Sequence, residues 1–139
     1  MKTNISSIGD DSGLIVPEIN NEPGLYSARY SGVNATDSDN RNKLISKLKD
    51  KKLESTYAYF FCCIVAIGIK GRNEIIVCSG KVEGEVKTIE RGEKGFGYDS
   101  MFYPKGYSES FAELNSLEKN KISHRGLALK KLMEKLNKT

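Results

Sequence analysis

Two segments of this chain carry side chains whose types and spacing suit chemistry. Gly95-Phe96-Gly97-Tyr98-Asp99 sets an aromatic ring and a carboxylate on a backbone with almost no side-chain bulk around them, so something flat and polar can approach closely. Further on, Lys119-Asn120-Lys121-Ile122-Ser123-His124-Arg125-Gly126 brings cations to the start of a helix. Together they describe a pocket for a planar base attached to a phosphate chain. Phe96 would stack on the ring, and Lys119, His124 and Arg125 would offer donors. Asp10-Asp11-Ser12-Gly13 adds two carboxylates and a hydroxyl, read as a tight turn. At least one of those carboxylates is expected to point into a shared cleft, where it suits Mg²⁺ binding or activation of water.

Each feature also has a plain structural reading. Asp-Asp-Ser-Gly occurs as a simple solvated turn. Phe96 and Tyr98 could pack in a core, and Asp99 could cap a loop. A lone His124 is often a satisfied structural histidine or a helix-start donor, and Lys119, Lys121 and Arg125 could be surface charges.

The elements that must position these residues follow from periodicity and turn chemistry. Ile8 to Val16 reads as strand, turn, strand, with Asp-Ser-Gly at the turn. Pro17, Asn20-Asn21 and Pro23-Gly24 punctuate the next stretch, and Leu25 to Gly32 is a short helical or irregular piece. Thr36 suits an N-cap, Asp37 and Asp39 suit a first turn, and Leu44, Ile45 and Leu48 recur at helical spacing, which predicts a helix over about 37–49. Tyr57 to Ile69, dense in aromatic and β-branched residues, predicts a long buried strand. Gly71-Arg72-Asn73 turns into a second strand, Glu74 to Val82. A third, Gly84 to Ile89, completes an antiparallel meander.

Tyr98 to Tyr103 predicts a further strand, closed by Pro104-Lys105-Gly106 and followed by a loop and a short helical turn. From Ile122 onward, Leu129, Leu132, Met133 and Leu136 fall at i, i+3, i+4 and i+7, with Lys130, Lys131, Lys135 and Lys138 on the solvated side.

Length and composition bound the answer. The 139 residues fit one domain, and 38% hydrophobic with 29% charged residues is the balance of a globular protein. The formal charge of +4 comes from 22 basic and 18 acidic residues that are interspersed, which fits solvated helix faces better than a nucleic-acid stripe. Cys62, Cys63 and Cys78 form no CxxC pair and read as reduced core residues. No signal-peptide pattern opens the sequence, and the longest apolar run, Ala58 to Ile69, is too short to span a membrane. A cytoplasmic location is expected, with no membrane and no nucleic-acid partner.

The motifs taken together are more specific than any one of them. DDSGL at Asp10 to Leu14, PGLYSARYSG at Pro23 to Gly32, GFGYD at Gly95 to Asp99, FAEL at Phe111 to Leu114 and KISHRGLAL at Lys121 to Leu129 stand in one order. In these blocks the chain closely resembles the inosine triphosphate pyrophosphatase family, which hydrolyses non-standard purine triphosphates such as ITP, dITP and XTP. The resemblance runs from about Ile8 to Leu136.

The resemblance implies an α/β fold: a mixed, elongated, twisted sheet flanked by helices, with two lobes and a central cleft. It implies Asp11 as proton acceptor and Mg²⁺ ligand, with Ser12 as a substrate contact beside it. Phe96, Gly97, Tyr98 and Asp99 match the segment that holds base and sugar, and Lys119, His124 and Arg125 match further substrate-binding positions. The implied reaction is attack of water on the α-phosphorus, giving the nucleoside monophosphate and pyrophosphate. Hypoxanthine and xanthine present a 6-keto acceptor that Arg125 or a backbone N–H satisfies, whereas adenine presents a donor there. A homodimer is implied as well.

Family members also carry an N-terminal strand, a Thr/Ser-x-Asn-x-x-Lys phosphate loop and a Glu that shares the metal, none of which this sequence shows. The expectation is therefore an N-terminally truncated member, a partial domain over 1–139. The alternative function is an inactive nucleotide-binding remnant, or a fragment needing a separate N-terminal piece. A basic RNA-contacting domain built on the Lys-rich C-terminal helix is opposed by the paired acids and the lack of an aromatic platform.

Overall fold

The computed structural model describes residues 7–24, 27–68 and 75–137. The expected turn at Gly71 to Asn73 and the Leu25-Tyr26 pair lie outside the described residues. The elements in chain order are β1 (Ser7–Val16), β2 (Glu22–Gly24), α1 (Asp37–Asp50), β3 (Ser55–Ile67), β4 (Ile75–Lys87), β5 (Phe102–Pro104), α2 (Ser116–Ile122) and α3 (His124–Asn137). Single 3-10 turns at Pro17–Ile19 and Ser27–Arg29 join the early elements.

The five strands form one sheet in the order β2-β1-β3-β4-β5. Its four pairings are all antiparallel, where the resemblance implied a mixed sheet. The α/β character and the flanking helices are as expected.

The centre of the sheet is β3, thirteen residues paired along their length to β4 and, from Tyr59 to Ile67, to β1. That long ladder overrides local turn chemistry at Asp10 to Gly13. Asp10 pairs with Ile64, Asp11 with Cys63, Ser12 with Cys62 and Gly13 with Phe61 in unbroken register. β1 is thus one strand, not strand, turn, strand. For the same reason Gly84 to Ile89 begins no third strand: β4 runs on to Lys87, opposite Ser55.

Tyr98 to Met101 is a turn rather than strand, because the Tyr98 carbonyl accepts the N–H groups of Met101 (2.9 Å) and Phe102 (3.1 Å). Only Phe102–Pro104 then extends, beside Gly84 to Val86.

Strand alternation divides the sheet into a covered and an open face. Ala58, Phe60, Cys62, Ile64 and Ala66 of β3 are buried, whereas Tyr57 and Ile67, with Ile75 and Val77 of β4, are exposed on the other side. Cys63 falls on the open face and is half-buried, so only Cys62 and Cys78 are core cysteines; all three are free thiols.

Two apolar clusters line the covered face. The larger gathers Leu14, Val16, Phe60, Phe102 and Phe111 around Leu44 and Leu48 of α1. Leu44 and Leu48 are fully buried, and each contributes roughly 1.5–3 kcal/mol to holding α1 down. The smaller joins Cys62, Ile64, Ala66 and Cys78 to Ala128 and Leu132 of α3.

All three helix starts are set by side chains, that of α2 by Asn115 Oδ1, which accepts the Glu118 N–H at 2.8 Å. Thr36 Oγ1 accepts the Asp39 N–H (3.1 Å) while Asp39 Oδ2 accepts the Thr36 N–H (2.9 Å), a reciprocal cap on α1. Ser123 is extended (φ −67°, ψ 151°) and breaks the C-terminal helix into α2 and α3. Its Oγ accepts the Gly126 N–H at 3.0 Å.

α3 packs differently from the expected stripe. Ala128 and Leu132 are buried, and Leu136 is partly so, but Leu129 and Met133 are 46% and 56% exposed. The reason is how closely α3 approaches the sheet. A Cβ on Gly80 would collide with the His124 carbonyl and the Ala128 N–H, so the bare Gly80 backbone selects the Ala128 side of the helix as the contact.

Candidate functional site

A cleft of about 590 Å³ opens on the covered face beside the larger cluster, whose Leu14, Phe60 and Tyr98 line it. Ser12, Phe96, Gly97, Tyr98, Asp99, Lys119, His124 and Arg125, all eight expected substrate-binding residues, line it. They come from β1, the loop before β5, α2 and the first turn of α3, so packing brings together what the sequence separates.

The ninth expected residue lies elsewhere. Alternation along β1 sends Ser12, Leu14 and Val16 to the covered face and Asp11 to the open one, where it is exposed and does not line the cleft. The side chains of Asp11 and Ser12 therefore leave β1 on opposite faces. This follows from Asp11 lying in mid-strand rather than in a turn.

At one end of the cleft the loop of residues 95–99 is tightly organised. Asp99, 6% exposed, accepts the Phe96 N–H (3.0 Å) and pairs with Lys119 Nζ (2.5 Å) through the same oxygen. Lys119 also stands 4.9 Å over the Phe96 ring, a cation–π contact. Phe96 itself is 64% exposed, a ring held at the cleft with an open face. Tyr98 donates from its hydroxyl to the Ser27 carbonyl (2.7 Å). Burial, together with the nearby Asp37 charge, pushes the Tyr98 phenol far above its ordinary value, so it remains a donor.

His124 stacks on Phe60, ring centroids 4.7 Å apart and 12° from parallel. Its Nδ1 is buried without a hydrogen-bond partner among the described residues. Burial first, then the Arg125 and Lys119 charges, pull its pKa from 6.5 down to about 4. At neutral pH His124 is an uncharged ring with one N–H to give, so the cationic charge here belongs to Lys119 and Arg125. Arg125 Nη2 reaches Ser12 Oγ at 3.4 Å across the cleft floor.

Sequence reasoning missed Ser27, Phe60, Asp37 and Asn40 as cleft residues. Asp37 was legible only as a first-turn acid of α1, and Phe60 only as a strand residue. Asn40 is 2% exposed, accepting from the Ser31 N–H (2.9 Å) and donating to the Ala28 carbonyl (3.0 Å), which fixes the wall formed by the 3-10 turn. A buried Asn on the apolar side of a helix was the available signal.

Among the described residues no three His, Cys, Asp or Glu side chains are grouped to cage a metal. A hard ion of the Mg²⁺ type needs no such cage, being held by one or two carboxylates, waters and substrate phosphates. Asp11, the ligand that the resemblance implies, is exposed on the open face of β1.

An exposed aromatic platform, an Asp99–Lys119 pair behind it and the Arg125 cation further along suit a flat polar ring carrying anionic groups. The comparisons with known proteins agree. The model of the Ham1 family matches residues 1–135, and the chain belongs to that family. A protein of Idiomarina loihiensis named dITP/XTP pyrophosphatase is 45% identical over 137 residues, 99% of this chain and 68% of that protein. One of the same name from Clostridium perfringens is 48% identical over 129 residues, 93% of this chain and 62% of its own length. The chain thus spans about two thirds of the length of the relatives it matches. Among solved structures, a Ham1 protein from Coxiella burnetii superposes with a TM-score of 0.90 at 38% identity, covering 99% of this chain and 70% of that one. The Staphylococcus aureus Ham1 protein gives 0.86 at 41% identity, covering 96% and 67%.

Proposed function

We propose that this protein is a Mg²⁺-dependent pyrophosphatase of non-standard purine nucleoside triphosphates, taking dITP, ITP and XTP to the monophosphate and pyrophosphate and so cleansing the nucleotide pool. The observation that carries the reading is the convergence of the eight expected substrate-binding residues on one cleft. The names of the Idiomarina and Clostridium relatives support the substrate class.

The base lies against Phe96, with Tyr98 and Asp99 bounding it and a backbone N–H meeting its 6-keto oxygen. Asp99 keeps Lys119 oriented beside the ring. Toward the phosphates Arg125 and Ser12 supply donors, and neutral His124 adds one more without adding charge. The resemblance gives Asp11 the roles of proton acceptor for the attacking water and metal ligand, which from the open face of β1 it would perform from outside the cleft that holds the base. Water forms the new bond to the α-phosphorus, the bond from that phosphorus to the α,β-bridging oxygen breaks, and pyrophosphate leaves. Mg²⁺, held by Asp11 and the substrate phosphates, would supply the positive charge that neutralises phosphate oxygens as charge moves to the leaving group.

Pyrophosphate release from ITP, XTP, dITP and ATP with Mg²⁺ tests this, beside an Asp11→Asn control. The expected result is turnover of the first three over ATP, and a loss of at least ~10²-fold in kcat in Asp11→Asn with ITP binding retained. Equal turnover by Asp11→Asn would remove Asp11 from the mechanism.

A second reading, a module that binds purine nucleotides without hydrolysing them, is favoured by the placement of Asp11 off the cleft. It predicts thermal stabilisation by ITP with no pyrophosphate released. We further propose a cytoplasmic homodimer, which sedimentation at two protein concentrations tests.

A further inference from the structure

The two peptide groups that flank the Gly97 Cα are each held by a side chain of α1. Asp37 Oδ2 accepts the Gly97 N–H at 2.9 Å, and Arg41 Nη1 donates to the Gly97 carbonyl at 2.8 Å. Asp37 and Arg41 are four residues apart, so they stand on one face of the helix, one turn apart, with Gly97 between them. The grip extends outward. Arg41 Nε pairs with Glu90 Oε1 at 2.6 Å, and the same Glu90 oxygen accepts the Ser100 hydroxyl at 2.8 Å. The loop is therefore tied to α1 at Gly97 and, through Glu90, at Ser100.

From this geometry we infer that Arg41, with Asp37, is a positioning device that aims the Phe96 platform, a specificity-setting role for residues outside the expected site. Gly97 follows Phe96 directly and sits at φ +61°, a left-handed turn that glycine adopts without strain. Holding the N–H of the Phe96–Gly97 peptide and the carbonyl of the Gly97–Tyr98 peptide fixes the backbone on both sides of Gly97, and with it the direction from which the chain presents the Phe96 side chain. The ring gains little from burial, being 64% exposed, so its placement depends on these bonds and on Asp99. Arg41 does not line the cleft, so it acts through Gly97 rather than by touching a ligand.

A guanidinium is required rather than a positive charge. Arg41 spans two partners in different directions, Glu90 through Nε and Gly97 through Nη1, which a lysine ammonium cannot reproduce in one fixed plane.

The inference rests on the purine reading of the cleft, so its test uses binding and needs no turnover. ITP binding is measured by calorimetry with EDTA present, on the full chain and on Arg41→Ala, Arg41→Lys, Glu90→Gln, Phe96→Ala and the Arg41→Ala/Phe96→Ala double variant. Unfolding midpoints establish that each is folded. Arg41→Ala and Arg41→Lys should each weaken ITP about tenfold, and Glu90→Gln about threefold. With Phe96 already removed, Arg41→Ala should cost less than about twofold, because the platform it aims is gone.

Wild-type binding with an unaffected Arg41→Ala would overturn the inference alone, as would losses that simply add in the double variant, or full rescue by Arg41→Lys. Failure of the wild type to bind ITP, or Phe96→Ala binding as tightly as wild type, would remove the purine reading itself and this inference with it.

Discussion

The two ends of the cleft are built differently. Around the loop of residues 95–99, every polar group named has a close partner: Gly97 between Asp37 and Arg41, Asp99 between Lys119 and the Phe96 N–H, Tyr98 on the Ser27 carbonyl. Around Ser12 the side chains meet loosely, with Arg125 at 3.4 Å and Asp11 on the opposite face of β1. The base end is preorganised by contacts that exist without ligand, and such a site gives up little entropy on binding. At the other end, the Arg125 guanidinium and the Ser12 hydroxyl line the cleft with a longer contact between them. On the proposed reading, selectivity for the base would belong to the folded chain itself, and the reacting geometry would depend on what is bound.

Paired substitutions break this comparison most directly. Lys119→Met leaves Asp99 buried without its cation and is expected to destabilise the fold by about 3 kcal/mol, read from urea unfolding. Arg125→Ala sits at the exposed end of its contact with Ser12, and its stability cost should stay near ~0.5 kcal/mol. Its effect should fall instead on KM for ITP, raised about tenfold with kcat changed less than about twofold. Equal stability losses at the two ends would show that the base end is not specially preorganised.

Much of this site was legible in the sequence, because Phe96, Asp99, Lys119 and Arg125 carry chemistry that their spacing displays. What stayed hidden was which way each strand residue points. Asp10 to Gly13 has turn composition, and only the unbroken pairing with β3 turns it into strand and sets Asp11 opposite Ser12. The stripe on α3 was misjudged for a similar reason: the bare surface at Gly80 draws in Ala128, so Leu129 turns to the cleft and Met133 to solvent. Asp37 reads only as a first-turn acid of α1 and Arg41 carries no signal of its own, because their partner, the backbone at Gly97, sixty residues from Asp37, carries no side-chain signal.

His124 stands between the two ends, stacked on Phe60, and gives the comparison a pH axis. Its folded-state pKa of about 4 lies below the ordinary 6.5, so between those values the unfolded chain holds a proton that the folded chain does not. Stability therefore falls as pH drops from about 6.5 toward 4 and levels off below, with up to ~3 kcal/mol lost from this group. The depressed carboxylates Glu22 and Asp39 act only at and below their ordinary values of 4.5 and 3.8. Down to about pH 4.5 the slope belongs mainly to His124. His124→Phe should flatten it, as measured by urea midpoints across that range. A slope unchanged by the substitution would place the buried titration elsewhere.

The smallest expected effect separates the two residues that grip Gly97. Thr36→Ala removes the oxygen that accepts the Asp39 N–H and should cost about 1 kcal/mol, a thermal midpoint lower by roughly 3–4 °C for a domain of this size. Thr36→Ser should restore it. The cap borders Asp37, the first residue of α1, whereas Arg41 lies one turn further in and is anchored by Glu90. Fraying of that first turn would loosen the bond to the Gly97 N–H and leave the bond to its carbonyl. ITP affinity should then fall by about twofold, well short of the loss in Arg41→Ala. A Thr36→Ala loss as large as that of Arg41→Ala would mean that the whole first turn, rather than the Arg41 fork, aims the platform.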